Sequence, residues 1–297
     1  MYSIGLDIGT TSVCGILLNA ETGEMIKSYT RPNDTFIQTE NEWERIQESS
    51  RLIEILKSIA DDLLAEGLPV VSIGLTGQMH GLVYLNAEGK PVSVLATWQD
   101  DRGNLPYKDG KTYVDVMREV TGYPVATGYG SVTYYYDMVN GRVPEDAVTF
   151  CTIMDLAAIT LAGKTKPIMH PSDAASFGLF DLKNNCFDKE AIEKLGLDYD
   201  MFPEVCSGYT LVGDYNGIPV GVALGDNQAS FLGSVADTEN TVLVNVGTSS
   251  QISCLTHSVP DTDEIDCRPL LDGSYIIAGS ALCGGRAYAI LERCLRQ

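Results

Sequence analysis

Two segments far apart in the chain carry residues suited to holding a phosphate. The first places Asp7 near the end of an alternating apolar strand that runs into the turn Gly9-Thr10-Thr11. Backbone N–H groups and hydroxyls in such a turn can bind phosphate oxygens. A carboxylate at the end of a buried strand needs a cation or hydrogen bonds to offset its desolvation. Taken alone, the segment also fits an ordinary hairpin turn.

The second segment, residues 241–251, repeats the first with the same alternation and the same kind of turn. Aligned on it, Val242, Val244 and Val246 stand where Ile4, Leu6 and Ile8 stand, Asn245 replaces Asp7, and the turn is Gly247-Thr248-Ser249. Such a repeat predicts a duplicated domain with two phosphate-binding turns facing each other across a cleft. Two unrelated hairpins with similar turn chemistry are the alternative.

A third candidate segment, Gly77-Gln78-Met79-His80-Gly81, follows the predicted strand 70–76. Ligands of open α/β sheets bind beyond the carboxyl ends of strands, so this loop is well placed for a site. His80 could exchange a hydrogen bond with a substrate hydroxyl, or its ring could be satisfied by local backbone groups.

The polar loop 96–102 contains Trp98, which could stack on the apolar face of a sugar. Gln99, Asp100 and Arg102 in the same loop could offer hydrogen bonds to that ligand. A tryptophan without further signals is more often a core residue, so the packing alternative stays open.

Two aspartates are the remaining candidate site residues. Asp226, followed by Asn227, stands between the predicted strand 219–225 and a helix start, so it is either a helix N-cap or a carboxylate base. Asp173, in a loop of small residues, either faces the predicted cleft or caps a turn, and turn chemistry favours the second.

The composition narrows the function classes. The chain has 297 residues with 40 acidic and 20 basic side chains, a formal charge of −20. Nucleic acids and anionic membranes need a basic footprint, so neither is expected as a partner. Eight cysteines without Cys-x-x-Cys spacing and three histidines argue against structural zinc and fit reduced thiols. The N-terminus lacks a signal-peptide pattern and no apolar run reaches transmembrane length, so we expect a cytoplasmic protein.

Hydrophobic periodicity predicts the elements that must position the candidate residues. Three antiparallel strands open the chain, with returning strands at 13–18 and 25–30. Apolar residues at three- and four-residue intervals from Trp43 to Leu63 predict a helix that stops before Gly67. The order β-β-β-α-β indicates an α/β fold. We expect a first domain over 1–221 and the beginning of a second over 222–297.

Together these segments resemble the FGGY carbohydrate kinases, members of the actin-like ATPase superfamily. The matching segments are Asp7-Ile-Gly-Thr-Thr11, Gly77-Gln-Met-His-Gly81, Gly225-Asp-Asn227 and Val246-Gly-Thr-Ser249, in the family's order. Further segments, such as Thr97-Trp-Gln-Asp100 and Gly128-Tyr-Gly130, are most similar to sedoheptulokinases, with xylulokinases next. The resemblance implies an actin-like, ribonuclease H-like duplicated α/β fold, with a complete first domain and a partial second domain.

The resemblance also implies a role for each candidate in an ATP-dependent kinase that acts on a ketose of the sedoheptulose or xylulose type. Asp226 matches the general base, and Asp7 matches the acid that positions Mg²⁺. The phosphate loops match Gly9, Thr10 and Thr11 in the first copy and Gly247, Thr248 and Ser249 in the second. The sugar-contacting positions match Gln78, Met79, His80, Trp98 and Asn227. Two such loops and a metal ion would neutralise phosphate charge without the lysine-bearing P-loop motif, which the chain lacks.

The length of the family's members leaves an alternative function open. Family members are longer, and their adenine pocket lies beyond the segment matched by these residues. The alternative to a kinase is therefore a fragment that binds a ketose without catalysis. The identity of the sugar and the oligomeric state stay open, and a homodimer is one assembly that fits.

Overall fold

The computed structural model describes residues 1–246, 250–262, 265–281 and 284–296. The chain divides into two compact units, Met1–Asp226 and Asn227–Gln297. The domain boundary expected after residue 221 stays a prediction. Within the described ranges, no helix combines the length and the apolar composition needed to cross a membrane.

The first unit mixes short and long strands with helices. Its strands are β1 (Tyr2–Ile8), β2 (Ser12–Asn19), β3 (Met25–Pro32), β4 (Phe36–Ile37), β5 (Ile46–Gln47), β6 (Val70–Gly77), β7 (Val83–Leu85), β8 (Leu95–Ala96), β9 (Thr149–Cys151), β10 (Ile168–Met169), β11 (Phe180–Asp181), β12 (Cys186–Phe187), β13 (Glu204–Val205), β14 (Leu211–Tyr215), β15 (Ile218–Gly221) and β16 (Leu224–Gly225). Its helices are α1 (Ser49–Leu64), α2 (Tyr113–Thr121), α3 (Gly130–Val139), α4 (Ile153–Ala162), α5 (Pro171–Ser176) and α6 (Lys189–Lys194), with 3₁₀ turns at Arg102–Asn104 and Tyr199–Met201.

A seven-stranded sheet organises the first unit. Its order is β14-β15-β6-β1-β2-β3, and β16 also pairs with β6. The first three strands are antiparallel, as the sequence predicts. Strand β6 runs parallel to both β1 and β16. The predicted strand 219–225 is split by an interruption at 222–223, so that β15 and β16 each pair with β6 separately.

Helix α1 covers the antiparallel part of this sheet. Its fully buried Leu52, Leu56 and Ile59 face the core that contains Leu17 of β2. The approach is so close that a Cβ atom at Gly15 would lie 2.3 Å from the Ile59 side chain. Only glycine therefore fits at this point of β2.

The predicted helix starts too early. Trp43 and Ile46 match its periodicity, but the helix begins at Ser49, and Ile46–Gln47 forms β5 instead. Strand β5 pairs with β4 on one side and β8 on the other. These pairings satisfy backbone groups that a longer helix would have used, so tertiary contacts override the local pattern.

A second core of the first unit contains a buried ion network. Arg102 Nε lies 2.7 Å from Asp100 Oδ1, and its Nη1 lies 2.7 Å from Asp137 Oδ1. The Tyr84 hydroxyl donates to Asp137 Oδ2 at 3.1 Å. All four side chains are buried. A sugar contact from Asp100 or Arg102 stays a prediction, and in this structure the two side chains are buried and form an ion pair with each other.

The second unit is smaller. Helix α7 (Asp226–Ser234) begins at the last residue of the first unit. It is followed by β17 (Val242–Val246), β18 (Ser250–Thr256), β19 (Asp266–Pro269), β20 (Tyr275–Ala281) and α8 (Gly285–Leu295). The four strands form an antiparallel sheet in the order β17-β18-β20-β19.

The two predicted repeats share a hairpin but differ in register and environment. Ile8 pairs with Val13 across four intervening residues, whereas Val246 pairs with Ser250 across 247–249. Ile8 is fully buried, but its counterpart Val246 is 64% exposed within the described part of the chain. The sequence repeat thus predicts the incoming strand correctly, and the two strands differ in how far their apolar side chains are buried.

The buried ion network makes a testable contribution to stability. We expect Arg102→Ala to lower the free energy of unfolding by about 3–5 kcal/mol, because it leaves two buried carboxylates without their cation. Urea unfolding followed by circular dichroism measures the loss. The matched control is Arg51→Ala, which removes an exposed ion pair with Glu54 and should cost about 0.5 kcal/mol or less. Equal losses in the two variants would contradict the structural role of the network.

Candidate active site

Three strand ends meet at one edge of the main sheet. Ile8 of β1 pairs with Gly77 of β6, and Gly225 of β16 pairs with the same Gly77 from the other side. Because all three strands are parallel, the segments that follow them leave at the same edge. These segments begin with Gly9, Gln78 and Asp226, and each belongs to a different candidate group of the sequence. The fold therefore brings together the candidate phosphate loop Gly9–Thr11, the candidate sugar loop Gln78–His80 and the candidate base Asp226, which we call the first phosphate loop, the sugar loop and the candidate base.

The first phosphate loop is held by side chains from distant parts of the chain. Asn33 Nδ2 donates to Gly9 O at 2.9 Å, and the Asn33 N–H donates to Thr11 O at 2.9 Å. Gln47 Nε2 reaches Thr10 O at 3.4 Å. These bonds use the loop carbonyls. Sequence reasoning missed Asn33 and Gln47, and only the tertiary structure places their side chains against this loop.

Trp98 also contacts the first phosphate loop. Its indole Nε1 donates to Thr10 Oγ1 at 3.0 Å. The side chain is 46% exposed, which excludes the core alternative that the sequence left open. An exposed indole tethered to the phosphate loop can present an apolar face to a ligand that is bound at this edge.

The sugar loop divides into buried and accessible residues. Gln78 is anchored through its N–H to Ile8 O at 2.8 Å and through Nε2 to Gln47 Oε1 at 2.8 Å. Met79 is part of the hydrophobic core. A sugar contact from Gln78 or Met79 stays a prediction, and in this structure both side chains are buried.

His80 is the half-buried member of the sugar loop. Its backbone lies in the left-handed region with φ of 70°, which is uncommon outside glycine. Its Nδ1 lies 2.7 Å from Ser176 O, and because a carbonyl oxygen only accepts, Nδ1 carries the proton. The lone pair of the ring is then on Nε2. The ring stacks on Tyr129 with centroids 4.6 Å apart. Such a ring can accept a hydrogen bond from a hydroxyl.

The candidate base and the second phosphate loop lie at the end of the first unit and beyond it. Asp226 is exposed and begins α7. In the second unit, Asn227 Oδ1 accepts from Gln251 Nε2 at 3.3 Å. Gly247, Thr248 and Ser249 lie outside the described residues, so the structure does not test them as a phosphate loop.

Asp7 is the candidate for Mg²⁺. It is half-buried, and burial raises the pKa of its carboxyl. In the parallel pairing of β1 with β6, Asp7 lies opposite Thr76. It stands two residues before Gly9, where the first phosphate loop begins. The described residues contain no cluster of three or more His, Cys, Asp or Glu side chains that could hold a metal. Mg²⁺ commonly uses one or two carboxylates together with waters and substrate phosphates, so a single aspartate beside a phosphate loop fits it.

Two buried aspartates lie behind the site. Asp173 on α5 is fully buried and neither of its carboxyl oxygens has a hydrogen-bond partner. It caps nothing, because His170 is the N-cap of α5, so the turn-capping prediction is wrong. Burial raises the pKa of Asp173 well above its ordinary value, and the nearby Asp155 and Asp226 raise it further. The fold therefore disfavours the ionised form of Asp173.

Asp155 and His170 are buried beside it. Burial raises the pKa of Asp155 to about 7, against the opposing effect of hydrogen bonds from Thr152 in the capping box of α4. Burial lowers the pKa of His170 to about 4, so this histidine is neutral near pH 7. No sequence signal marks Asp155 as unusual, since a capping-box aspartate is ordinarily exposed and ionised.

Comparison with known proteins relates this geometry to a family. The model of the FGGY family of carbohydrate kinases, N-terminal domain, matches residues 2–233. The sedoheptulokinase of Mus musculus is 28% identical over 336 aligned positions, which cover 99% of this chain and 69% of that protein.

Solved structures agree in fold. The ligand-bound xylulose kinase from Lactobacillus acidophilus superposes with a TM-score of 0.81 at 21% identity, covering 96% of this chain and 60% of that one. The Plasmodium falciparum glycerol kinase with ADP gives a TM-score of 0.82 at 17% identity, covering 99% of this chain and 64% of that one. The predicted actin-like, ribonuclease H-like α/β fold is confirmed.

The contact beneath Trp98 can be tested at Gly128. Its φ is +81°, and a Cβ atom there would lie 2.0 Å from the Trp98 carbonyl oxygen. We expect Gly128→Ala to displace the Trp98 loop and to lower the free energy of unfolding by about 1–3 kcal/mol more than the control. The control is Gly110→Ala, where φ is +76° and nothing lies within 4 Å. Equal stabilities of the two variants in urea would contradict this contact.

The buried Asp155 predicts a specific pH dependence. The ordinary pKa of an aspartate carboxyl is 3.8, and that of Asp155 in the folded protein is about 7. The folded protein therefore binds this proton more tightly than the unfolded chain does. Wild-type stability then falls as pH rises from about 4 through about 7, and Asp155→Asn removes this loss. We expect the variant to gain on the order of 2 kcal/mol relative to wild type between pH 5 and pH 8. Thermal and urea unfolding at both pH values measure the difference.

The difference between variant and wild type reports Asp155 together with its effect on Asp173, Cys151 and Cys206, whose pKa values its charge raises. Asp173, Cys151 and Cys206 are present in both proteins, and so is His170, whose lowered pKa acts in the opposite direction between about 4 and 6.5. The matched control is Asp115→Asn, in the exposed capping box of α2, where hydrogen bonds from Thr112 lower the pKa. This control should show no gain between pH 5 and 8. A similar gain in both variants would exclude burial as the cause.

Proposed function

The chain belongs to the FGGY family of carbohydrate kinases, and from this premise we propose that it transfers the γ-phosphate of ATP to the terminal hydroxyl of a ketose. The sedoheptulose or xylulose type is the proposed substrate class. Support comes from the 28% identity to sedoheptulokinase over nearly the whole chain. The chain covers 69% of that relative and 60% of the xylulose kinase, so the activity of the 297-residue chain itself is part of the proposal.

The observation that carries the proposal is the meeting of three strand ends at Gly77. It supports a site in which the phosphate loop, the sugar loop and Asp226 act on one pair of substrates. Phosphoryl transfer depends on holding the acceptor hydroxyl in line with the phosphate, and a shared sheet edge gives that rigidity.

Each residue has a distinct proposed part. The ketose lies against Trp98, and one of its hydroxyls donates to Nε2 of His80. Asp226 accepts the proton of the terminal hydroxyl as that oxygen attacks the γ-phosphate, since an alcohol is a weak nucleophile without a base. The N–H groups and hydroxyls of Gly9, Thr10 and Thr11 hold phosphate oxygens. Asp7 would orient Mg²⁺, which supplies charge neutralisation to the phosphates when bound.

A second candidate function is ketose binding without phosphoryl transfer. The observation that favours it is that the candidate sugar contacts Gln78, Met79, His80 and Trp98 all lie in the first unit. A coupled ADP-release assay and titration calorimetry over a panel of ketoses and polyols distinguish the two. Ketose-dependent ADP release supports the kinase, whereas ketose binding without ADP release supports the second candidate.

The assignment of the base can be tested directly. We expect Asp226→Asn to lower ketose-dependent ADP release by at least about 100-fold, because the amide cannot accept the hydroxyl proton. Ketose binding measured by calorimetry should change little, since the amide keeps the size and a hydrogen-bonding oxygen. The control is Asp214→Asn, an exposed aspartate on β14, which should retain wild-type turnover. Near-normal turnover in Asp226→Asn would remove this residue from the role of base.

A further inference from the structure

Helix α5 connects the candidate base to the sugar loop. Ser172 and Ser176 lie four residues apart, so their side chains project from the same side of the helix. Both are buried, at 1% and 5% exposure. We propose that Ser172 and Ser176 are positioning residues that hold Asp226 and His80 in a fixed relation, an inference that rests on the proposed function.

Ser172 holds the residue that precedes the base. The Gly225 N–H donates to Ser172 Oγ at 3.0 Å. Ser172 Oγ lies 2.8 Å from His170 Nδ1, and the Ser172 N–H also donates to this nitrogen at 3.1 Å. Because Nδ1 accepts from the backbone, the Ser172 hydroxyl proton points to Nδ1 as well. The hydroxyl is therefore fixed, with its lone pair directed at Gly225.

Among the described residues, few other hydrogen bonds hold the backbone beside Gly225. Thr76 Oγ1 donates to the Leu224 carbonyl at 2.9 Å, and β16 is only two residues long. A strand this short has few ladder hydrogen bonds of its own. The Ser172 bond is thus one of a small number of contacts that fix the direction in which the backbone enters Asp226.

Ser176 holds His80 at two points. The His80 N–H donates to Ser176 Oγ at 3.2 Å, and His80 Nδ1–H donates to Ser176 O at 2.7 Å. Ser176 Oγ itself donates to Asp173 O at 2.7 Å, which closes the turn of α5. A non-glycine residue with φ of 70° needs such support from its surroundings. The same contacts select the His80 tautomer in which Nε2 can accept from a sugar hydroxyl.

The contacts of α5 affect the relative positions of His80 and Asp226 in the proposed reaction. A ketose oriented by His80 must present its terminal hydroxyl within hydrogen-bond reach of Asp226. His80 is bonded to Ser176, and Gly225, the residue before Asp226, is bonded to Ser172, so α5 links the two candidate residues. Removing Ser172 should loosen the base without changing the sugar contact, and removing Ser176 should do the reverse.

The test compares Ser172→Ala with Ser176→Ala in the 297-residue chain. Titration calorimetry with sedoheptulose and with D-xylulose measures binding, and NMR amide hydrogen exchange follows Gly225 and His80. We expect Ser172→Ala to speed exchange at Gly225 by about 10-fold and to lower turnover by about 10-fold with unchanged ketose affinity. We expect Ser176→Ala to speed exchange at His80 and to weaken ketose affinity by about 10-fold.

The matched control is Ser131→Ala on α3, a fully buried serine whose Oγ has no hydrogen-bond partner. It should leave both amides and the ketose affinity unchanged. The inference is overturned if the two α5 variants alter Gly225 and His80 equally, as a general loosening would, or if neither amide responds. Failure of the wild-type chain to bind or phosphorylate any ketose refutes the proposed function instead, and the amide exchange still decides the role of the two serines.

Discussion

The candidate site depends on the parallel pairing of β6 with β1 on one side and β16 on the other. Parallel strands end at the same edge of a sheet, so one register sets the positions of three loops at once. Ile8 and Gly225 both pair with Gly77. A shift of one residue in either pairing would turn the side chains of that strand to the opposite face. The buried faces of β1 and β6 under α1 and α4 oppose such a shift, since they place Ile4, Leu6 and Ile73 in the core.

Buried polar side chains then adjust the loops that leave this edge. Gln47 and Asn33 bond to backbone carbonyls of the loop Gly9–Thr11, and Ser172 bonds to the backbone N–H of Gly225. A buried polar group without a partner costs free energy, so these residues are stable only when the loops adopt the observed positions. The same bonds that satisfy the side chains therefore keep the loops in place before any ligand binds.

The buried acids show a different balance. Arg102 forms ion pairs with Asp100 and Asp137, whereas no cation pairs with Asp155 or Asp173 among the described residues: burial raises the pKa of both, and neighbouring acids raise that of Asp173 further. Burial thus opposes ionisation of the two carboxyls of Asp155 and Asp173, which lie close to one another inside the first unit.

The sequence by itself determined the order of the elements, the turn chemistry at Gly9–Thr11 and the residues that follow each strand, because periodicity and turn preferences act over a few neighbouring positions. It also carried the family resemblance. It did not determine that Ile46–Gln47 is a strand, that Arg102 is buried, or that Asn33, Gln47, Ser172 and Ser176 support the site. Those features depend on contacts between residues far apart in the chain. Only the tertiary structure fixes such contacts, because strand order and register decide which distant side chains meet.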